Sequence, residues 1–415
     1  MKKKVIVIGA GASGLMCAVL LARNNYEVTI LERMDKIGKK LLATGNGKCN
    51  FTNLHQEKEC YRSGEPMLID SVLEQFTTEQ TIKFFQELGI VIKSKSGYLY
   101  PYSETATAIV EVFKMELERL NVAIKLSCHV NEIKKSNDTF IVYTKETSYR
   151  ADVVVLSSGG KAGENLGSDG SGYEIAKHLG HSLTPIVPAL VALHSNEKFF
   201  KQLAGIRTLA KVTLFVDGKY VTDDTGELQL TSYGISGIPV FQVSRYASLA
   251  LLKKRKVVVE LDFLPHLTAQ EVVLMIGERI TNSLDKTMEE FLIGWFPPKM
   301  IGLLLKNAGF HNQDSVKQLK GKEKVLADAI KTLKVLITQT NPFSQAQVCA
   351  GGINSKEVNH TTLESKLVKG LYFTGEILDV DGICGGYNLQ WAWSSAAVCA
   401  KHLSLNKSID KIRLT

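Results

Sequence analysis

The chain has 415 residues, 45% of them hydrophobic, and this length is enough for two or three domains. Its formal net charge is +8, but the densest basic run, Lys253–Lys256, has no interleaved aromatic residues and is interpreted as a solvated turn. The seven cysteines, an odd number, form no C-x-x-C pair and no framework spacing, which fits a reducing cytoplasm rather than a disulfide scaffold. We therefore expect a cytoplasmic protein with no bound metal and no nucleic-acid partner.

The first predicted elements are a strand, a helix and a second strand. The β-branched run Val5–Ile8 predicts a buried strand, and Gly9, Gly11 and Gly14 form a G-x-G-x-x-G pattern before an apolar helix. Such glycines allow a tight turn, close approach of a pyrophosphate and close helix packing, and the helix N-terminus favours anions. Glu32 ends the second strand, where an acid binds ribose hydroxyls. These residues predict a dinucleotide site.

A membrane anchor or signal peptide is the competing interpretation of the same segment. The lysines Lys2–Lys4 precede a run without charge, Val5–Ala22, which is close to the length that a membrane-spanning helix needs. Three glycines at this spacing would be costly in such a helix, whereas nucleotide binding requires them. We therefore expect no membrane segment.

Strand-like and helix-like runs alternate over roughly the first 185 residues, as in a doubly wound α/β domain. The spacing of apolar residues predicts helices over Glu74–Leu88 and Thr105–Leu120. The run Asp152–Leu156 predicts a fully buried strand, and Gly159-Gly160 follows soon after it. This order indicates a parallel sheet covered by helices on its faces.

The pattern changes after Pro188 to short alternating runs, which are typical of antiparallel strands. Asp217-Gly218 and Thr225-Gly226 predict turns between these strands, and the pattern becomes helical from Thr268. An insert therefore interrupts the nucleotide-binding domain. The predicted division is a discontinuous cofactor domain at 1–187 and 342–415 and an insert at 188–341, with an antiparallel part at 188–262 and a helical part at 263–341.

A loop rich in glycines and amides, Gly38–Asn53, comes soon after Glu32. Glycines let a backbone approach a ligand closely, and side-chain amides bind polar atoms. The loop also carries Lys39 and Lys40. We expect it to follow an extended cofactor rather than to be an ordinary surface loop.

A second cofactor-like segment lies near the end of the sequence. A predicted strand ends at Gly375, Glu376 and Asp379 follow it, and Gly385-Gly386 then opens an apolar helix. Carboxylates at this place can hold a polyol chain, and a helix N-terminus can stabilise negative charge on a reduced ring. Two such segments at opposite ends of the chain favour FAD over NAD as the tightly held, non-covalent cofactor.

Four longer runs carry a resemblance to a known family. They are TGNGKCNFTN, ADVVVLSSGGKAGENLGSDGSGYEIAKHLGH, TSYGISGIP and GLYFTGEILDVDGICGGYNLQWA. Through them nearly the whole chain resembles the bacterial NAD(P)/FAD-dependent oxidoreductases that include YhiN, the aminoacetone oxidases and the bile-acid reductase BaiN. The resemblance implies an α/β fold, with a discontinuous FAD-binding Rossmann domain of the glutathione-reductase type and an inserted β-barrel-like and helical domain.

The same resemblance implies a set of FAD contacts from both ends of the chain. Val130 is expected to meet the adenine through its backbone. In one departure, Tyr98 stands where relatives often carry an arginine in a G-R-[VL]-[FY]-P run. The implied contacts are Gly9, Gly11, Ser13, Gly14, Glu32, Arg33, Lys40, Thr44, Asn46, Gly47, Asn50, Val130, Gly159, Gly375, Glu376, Asp379, Gly386, Tyr387, Asn388 and Leu389.

The expected reaction is hydride transfer from NAD(P)H through flavin N5 to an electron-poor small molecule, such as the enone of a 3-oxo steroid or bile acid. One alternative is an FAD-dependent oxidase of a small amine such as aminoacetone, with oxygen as acceptor. The other is a non-catalytic or RNA-associated flavoprotein. No second G-x-G-x-x-G follows a strand, so NAD(P)H would bind without a Rossmann domain of its own. Tyr98, Tyr100, Tyr233 and Tyr387 are the candidates to line a pocket between flavin and insert and to donate a proton. The oligomeric state stays open.

Overall fold

The computed structural model describes residues 2–413, and the side chains of residues 2–405. Met1 and residues 414–415, which the predicted domain boundaries include, lie outside the described residues. The chain divides into two compact units: Met1–Val187 with Phe343–Thr415, and Pro188–Pro342. No described helix is both long enough and apolar enough to cross a bilayer.

Strands and helices alternate in the first part of the chain. The strands are β1 (Lys4–Ile8), β2 (Glu27–Leu31), β3 (Thr52–Asn53), β4 (Tyr61–Arg62), β5 (Ile92–Lys95), β6 (Tyr98–Pro101), β7 (Ala123–Lys125), β8 (Val130–Ser136), β9 (Thr139–Thr144), β10 (Ser148–Ala151) and β11 (Val153–Leu156). The helices are α1 (Ala12–Arg23), α2 (Lys39–Ala43), α3 (Pro66–Gln75), α4 (Thr78–Glu87), α5 (Ala106–Arg119) and α6 (Ser171–His178).

The middle of the chain carries both strands and helices. The strands are β12 (Val187–Ala189), β13 (Leu193–His194), β14 (Arg207–Val216), β15 (Lys219–Thr231), β16 (Gly234–Gly237), β17 (Val257–Asp262), β18 (Leu333–Ile337) and β19 (Gln339–Thr340). The helices are α7 (Phe200–Leu203), α8 (Ile238–Leu252), α9 (Ala269–Thr281), α10 (Met288–Leu292), α11 (Pro298–Asn307) and α12 (Glu323–Lys331).

The last part returns to the first unit. It contains β20 (Val348–Ala350), β21 (Leu371–Phe373), β22 (Asp381–Gly382) and α13 (Tyr387–Arg413). Strand β21 pairs in parallel with β11, with Val154 opposite Leu371. The C-terminal part of the chain therefore supplies an edge strand to a sheet begun at the N-terminus.

A five-stranded parallel sheet in the order β21-β11-β1-β2-β7 is the centre of the first unit. Four of the five residues of β1 and all four of β11 are buried, as expected of strands covered on both faces. The backbone of Gly9, just past β1, donates to Leu31, and that of Ser157, just past β11, donates to Ile8. The carboxyl ends of these strands therefore lie side by side, at the edge where open α/β sheets bind ligands.

The predicted helix over Glu74–Leu88 is wrong at its start. The structure ends α3 at Gln75 and begins α4 at Thr78. Thr77 Oγ1 accepts a hydrogen bond from Gln80 N, while Thr77 N donates to Gln80 Oε1. This capping box satisfies two backbone N–H groups at the start of α4, so it separates two helices that the apolar spacing had merged.

A seven-stranded antiparallel sheet, in the order β18-β17-β14-β15-β16-β13-β19, forms the second unit together with its helices. The predicted turn at Asp217-Gly218 is confirmed, with φ values of 50° and 77°. The predicted turn at Thr225-Gly226 is wrong, because both residues pair with β14 inside the continuous strand β15. A Cβ at Gly226 would lie 3.2 Å from Pro239 Cδ, so this glycine allows close packing rather than a turn.

The elements of the second unit are also more mixed than the sequence pattern indicates. Helix α8 lies within residues 188–262, where only antiparallel strands are expected, and β18 and β19 lie within residues 263–341. Strand β18 lies in the helical part of the sequence because it pairs with a strand from the antiparallel part: Val259 of β17 is opposite Val335 of β18. The last strands of the insert thus complete the sheet that its first strands begin.

Candidate cofactor site

The turn between β1 and α1 carries the three motif glycines, and they differ in what surrounds them. A Cβ at Gly14 would lie 1.9 Å from the Gly9 carbonyl oxygen, and a Cβ at Gly9, where φ is +102°, would lie 2.6 Å from the Ser157 carbonyl oxygen. At Gly11 a Cβ would have no described atom within 4 Å. Gly9 and Gly14 are thus required by the fold, whereas Gly11 faces open space at the start of α1, where a pyrophosphate fits.

Glu32 is held at the end of β2 by two backbone groups. Its Oε2 accepts from Ala10 N at 2.6 Å, and its Oε1 accepts from Met34 N at 2.7 Å. The residue is buried. A carboxylate has about four lone-pair sites, so each oxygen can also accept a hydrogen bond from a ribose hydroxyl. The structure therefore orients this acid beside the glycine turn, as the sequence predicts.

Arg33 forms an ion pair with Asp169, which the sequence analysis missed. Burial opposes ionisation of Asp169, but hydrogen bonds from Ser171 and the charge of Arg33 outweigh it and hold the pKa of Asp169 below its usual range. Arg33 Nε is buried without a hydrogen-bond partner among the described residues. A buried donor without a partner is costly, so a ligand acceptor at this point would be favourable.

Lys40 and Glu376 join the two predicted cofactor segments. Lys40 Nζ lies 2.7 Å from Glu376 Oε2, and the Cys349 backbone N–H donates to Glu376 Oε1 at 2.9 Å. Ser13 Oγ donates to the Thr374 carbonyl oxygen at 3.3 Å. The start of α1 and the end of β21 are therefore bonded together at one site.

The loop after α2 exposes backbone and leaves one acceptor unsatisfied. Thr44 and Gly47 bound a short 3-10 turn in which Asn46 has a φ of 53°. Asn50 Oδ1 is buried with no hydrogen-bond partner among the described residues, and a Cβ at Gly386 would lie 3.0 Å from it. An N–H or O–H group of a bound ligand would satisfy this oxygen. The loop and the Gly385-Gly386 turn thus lie against each other, with this unsatisfied oxygen at their contact.

The turn before α13 is fastened by amide side chains. Asn388 Oδ1 accepts from Gly382 N, and its Nδ2 donates to the Gly382 carbonyl oxygen, both at 2.9 Å. Asn53 Nδ2 donates to the Gly385 carbonyl oxygen at 3.1 Å. Leu389, half-buried, packs against the core. The N-terminus of α13 is therefore held in a fixed position, and its partial positive charge suits an electron-rich ligand.

Three other predicted contacts lie in the same unit. Val130 is buried at the start of β8. Gly159 has a φ of +74°, and a Cβ there would lie 3.0 Å from Ser168 Oγ. Asp379 is buried and accepts a hydrogen bond from Gly64 N. The structure gives their positions, and their contact with FAD stays a prediction.

The four candidate tyrosines have different surroundings. Tyr387 is buried, its ring meets that of Tyr61 edge-on at 5.7 Å, and burial raises its pKa well above the usual range. Tyr98 and Tyr100 lie on β6 in the first unit. Tyr233 lies in the second unit, where it stacks on His194 and its hydroxyl accepts from Asn341 Nδ2. Burial thus opposes loss of the proton of the Tyr387 hydroxyl.

A family model, the HI0933-like protein Rossmann domain, matches residues 3–402. The chain belongs to this family. Among the described residues of this HI0933-like protein, no cluster of three or more His, Cys, Asp or Glu side chains has the arrangement of a metal site.

Curated relatives match this HI0933-like protein over almost its whole length. It is 43% identical over 401 residues to a 3-dehydro-bile acid delta(4,6)-reductase of Clostridium scindens, covering 96% of this chain and 98% of the relative. It is 33% identical over 406 residues to a ribosomal RNA dihydrouridine synthase of Haemophilus influenzae, covering 96% and 98%. The Escherichia coli protein of the same name is 31% identical over 405 residues, covering 97% and 98%.

A solved structure shares the fold of this HI0933-like protein. The 3-ketosteroid delta1-dehydrogenase of Sterolibacterium denitrificans is 11% identical, with a TM-score of 0.50 and coverage of 98% of this chain and 100% of that chain. The predicted family and the predicted Rossmann-type α/β fold are confirmed. The protein is an oxidoreductase enzyme on an FAD-binding Rossmann fold.

Proposed function

We propose that the protein reduces a carbon–carbon double bond conjugated to a carbonyl group, with FAD as cofactor and NAD(P)H as reductant. The observation that carries this proposal is the 43% identity, over 96% of the chain, to a 3-dehydro-bile acid delta(4,6)-reductase. The proposed substrate is therefore an enone in a rigid ring system, such as a 3-oxo steroid or bile acid. This reaction is the one expected from the sequence.

The names of the other relatives agree with the same reaction type. Dihydrouridine differs from uridine by two hydrogens across a ring double bond that is conjugated to a carbonyl group. Relatives named for dihydrouridine synthesis and the relative named as a bile-acid reductase thus share one chemical step. That step adds a hydride to the carbon remote from the carbonyl and a proton to the neighbouring carbon.

The residues present fit FAD. Bound FAD supplies the hydride transfer at its N5 position. Glu32 would accept hydrogen bonds from the ribose, Gly11 would leave room for the pyrophosphate, and Asn50 would accept from the ring. The proposed FAD contacts are Gly9, Gly11, Ser13, Gly14, Glu32, Arg33, Lys40, Thr44, Asn46, Gly47, Asn50, Val130, Gly159, Gly375, Glu376, Asp379, Gly386, Tyr387, Asn388 and Leu389.

Anaerobic flavin spectroscopy tests the proposal. The purified protein should be yellow, and NADPH or NADH should bleach its absorbance at about 450 nm without oxygen. Addition of a 3-oxo-4-ene steroid or bile acid should restore the colour, and the product should carry two more hydrogens by mass spectrometry. A reduced protein that no enone reoxidises would contradict the proposed reaction. Peroxide release with aminoacetone in air, without NAD(P)H, would instead support an amine oxidase.

Uracil in RNA is a second candidate substrate, because two relatives that match over 96–97% of the chain are named for ribosomal RNA. These names stand against the expectation of no nucleic-acid partner. The test is to delete the gene and measure dihydrouridine in digested ribosomal RNA by mass spectrometry. Loss of dihydrouridine, with recovery on complementation, would favour RNA over a free enone.

A further inference from the structure

One face of the β5–β6 hairpin combines two lysines with two tyrosines. In the antiparallel register Lys93 lies opposite Tyr100, and Lys95 lies opposite Tyr98. Side chains two residues apart in a strand, and those directly opposite, point to the same side. Leu99, between the tyrosines, is buried on the other side. Lys93, Lys95, Tyr98 and Tyr100 therefore form one surface, named here the Lys–Tyr face.

The Lys–Tyr face continues into the turn before α13. Asn53 of β3 pairs with Tyr98, and its Nδ2 donates to the Gly385 carbonyl oxygen at 3.1 Å. A Cβ at Gly385 would lie 2.9 Å from Tyr98 Cε1. The ring of Tyr98 thus lies against the turn that is proposed to meet the flavin ring. A molecule on this face would lie beside that ring.

The charge of the Lys–Tyr face is positive. Lys93 and Lys48 both pair with the single carboxylate of Glu104. The hydrogen bonds and charges of these lysines, those of Lys93 first, hold the pKa of Glu104 below its usual range. Lys95 adds a further exposed ammonium group. One carboxylate against three ammonium groups leaves a surplus of positive charge, which attracts anions.

The tyrosines of this face offer flat, uncharged surfaces. Tyr98 is 38% exposed, and Tyr100 is half-buried. Burial raises the pKa of Tyr100, and the neighbouring Tyr98 raises it further, so this phenol stays neutral. Aromatic rings stack on nucleotide bases, and nearby ammonium groups pair with phosphates. The combination therefore suits a nucleotide better than an uncharged steroid.

We propose that the Lys–Tyr face binds the NAD(P)H that reduces the flavin, with the pyrophosphate at Lys93 and Lys95 and a nucleotide ring on Tyr98. This inference rests on the proposed function. A dinucleotide is favoured because the reaction needs a hydride donor beside the flavin. The five-stranded parallel sheet and its one glycine motif, at Gly9 to Gly14, are already assigned to FAD, and the described residues hold no second parallel sheet of that size.

The first experiment measures binding without turnover. NADP⁺ and NAD⁺ are titrated into the oxidised, FAD-loaded protein by calorimetry, and anaerobic stopped-flow then gives the apparent Kd for NADPH and NADH. The double variant Lys93→Gln/Lys95→Gln should raise both Kd values at least about ten-fold. The limiting rate of flavin reduction should change by less than about two-fold. FAD content should stay unchanged, because neither lysine is a proposed FAD contact.

Lys83→Gln, an exposed lysine on α4 in the same unit, is the matched control and should behave like the parent protein. Tyr98→Ala should raise Kd about five-fold or more, because the stacking surface is lost, and Tyr98→Phe should restore it. Equal Kd values for the double variant and the parent would overturn the inference. Equal weakening by Tyr98→Phe and Tyr98→Ala would overturn the stacking role of the ring.

Two further outcomes separate this inference from the proposed function. If the parent protein binds and is reduced by NAD(P)H but the double variant is unaffected, the location is wrong and the proposed function stands. If neither nicotinamide binds the parent protein, both fail. A double variant that loses affinity only for a ribosomal RNA fragment, with its nicotinamide Kd unchanged, would assign the face to RNA and overturn the inference.

Discussion

Lys40 Nζ and Glu376 Oε2 lie 2.7 Å apart although 336 residues separate them in the chain. The pair links helix α2 to the short turn after β21, and the Cys349 backbone N–H donates to the second oxygen of Glu376. Both side chains are partly buried, at 25% and 18% exposure. Their charges are thus fixed at the junction between the two cofactor segments.

We expect Lys40→Met and Glu376→Gln each to lower the free energy of unfolding by about 1–2 kcal/mol, because each leaves a partly buried partner without its counter-charge. Urea denaturation of the apo-protein measures this loss. The double variant should lose less than the sum of the single losses, since the second substitution removes the stranded group. Strictly additive losses would show that the two groups do not interact.

Substitutions of the motif glycines should affect either folding or FAD binding, depending on the position. Gly14→Ala should lower the free energy of unfolding by about 2–4 kcal/mol, because the new Cβ collides with the Gly9 carbonyl oxygen. Gly11→Ala meets no described atom and should leave apo-protein stability within about 1 kcal/mol of the parent. Its FAD affinity should fall about ten-fold or more, since the methyl group occupies the space assigned to the pyrophosphate. Normal FAD affinity in a folded Gly11→Ala protein would contradict that assignment.

Replacement of Glu32 tests the ribose contact. Glu32→Gln should raise the Kd for FAD about 10- to 100-fold, the loss expected for hydrogen bonds to a charged acceptor. Equilibrium dialysis followed by flavin absorbance measures the change. Glu27→Gln, at an exposed acid that begins β2, is the control and should retain FAD. Full retention by Glu32→Gln would remove this residue from the site.

The stability of the protein should fall as pH falls below about 6.5, partly because of His181. Its side chain is fully buried with Nε2 2.9 Å from Ser365 Oγ, and burial, which outweighs the charge of Glu357, lowers its pKa. The unfolded chain therefore takes up a proton that the folded chain resists. In urea denaturation, His181→Gln should lose less stability than the parent between pH 7.5 and 5.5.

The exposed His55 provides the control for this pH series. His55→Gln should follow the parent protein across the range, because its side chain is 60% exposed. His402, whose pKa burial also lowers, leaves part of the pH dependence in place in the His181→Gln variant. An unchanged slope in His181→Gln would assign the whole effect to other groups.

Local patterns predicted the strand–turn–helix unit and its acid. Gly14 and Glu32 act on residues that are close in sequence or belong to one βαβ unit, so turn chemistry and apolar period are enough to find them. The close approach of Gly9 to Ser157 is distant in the chain and has no local signal. The fold class followed from the same patterns and from the resemblance. The FAD contacts stay predictions, since the structure gives their positions alone.

Other features depend on partners that are distant in the chain. Asp169 has no local signal as the counter-ion of Arg33, 136 residues away. The Thr225-Gly226 dipeptide carries a turn signal, yet packing against Pro239 explains the glycine and strand pairing overrides the signal. The helix boundary at Thr77 can be predicted from the sequence, because Thr77 and Gln80 form a capping-box pattern. The spacing of the apolar residues obscured this pattern.

The position of β21 has a consequence for biosynthesis. Its partner β11 ends at Leu156, but β21 begins only at Leu371, and a ribosome adding roughly 5–20 residues per second needs about 10–40 s to cover that interval. During this time the growing polypeptide exposes an unpaired strand edge and lacks Glu376 and α13. On the proposed FAD contacts, cofactor capture is a late event, and a nascent chain stalled before this point would be open to chaperones and aggregation but would remain colourless.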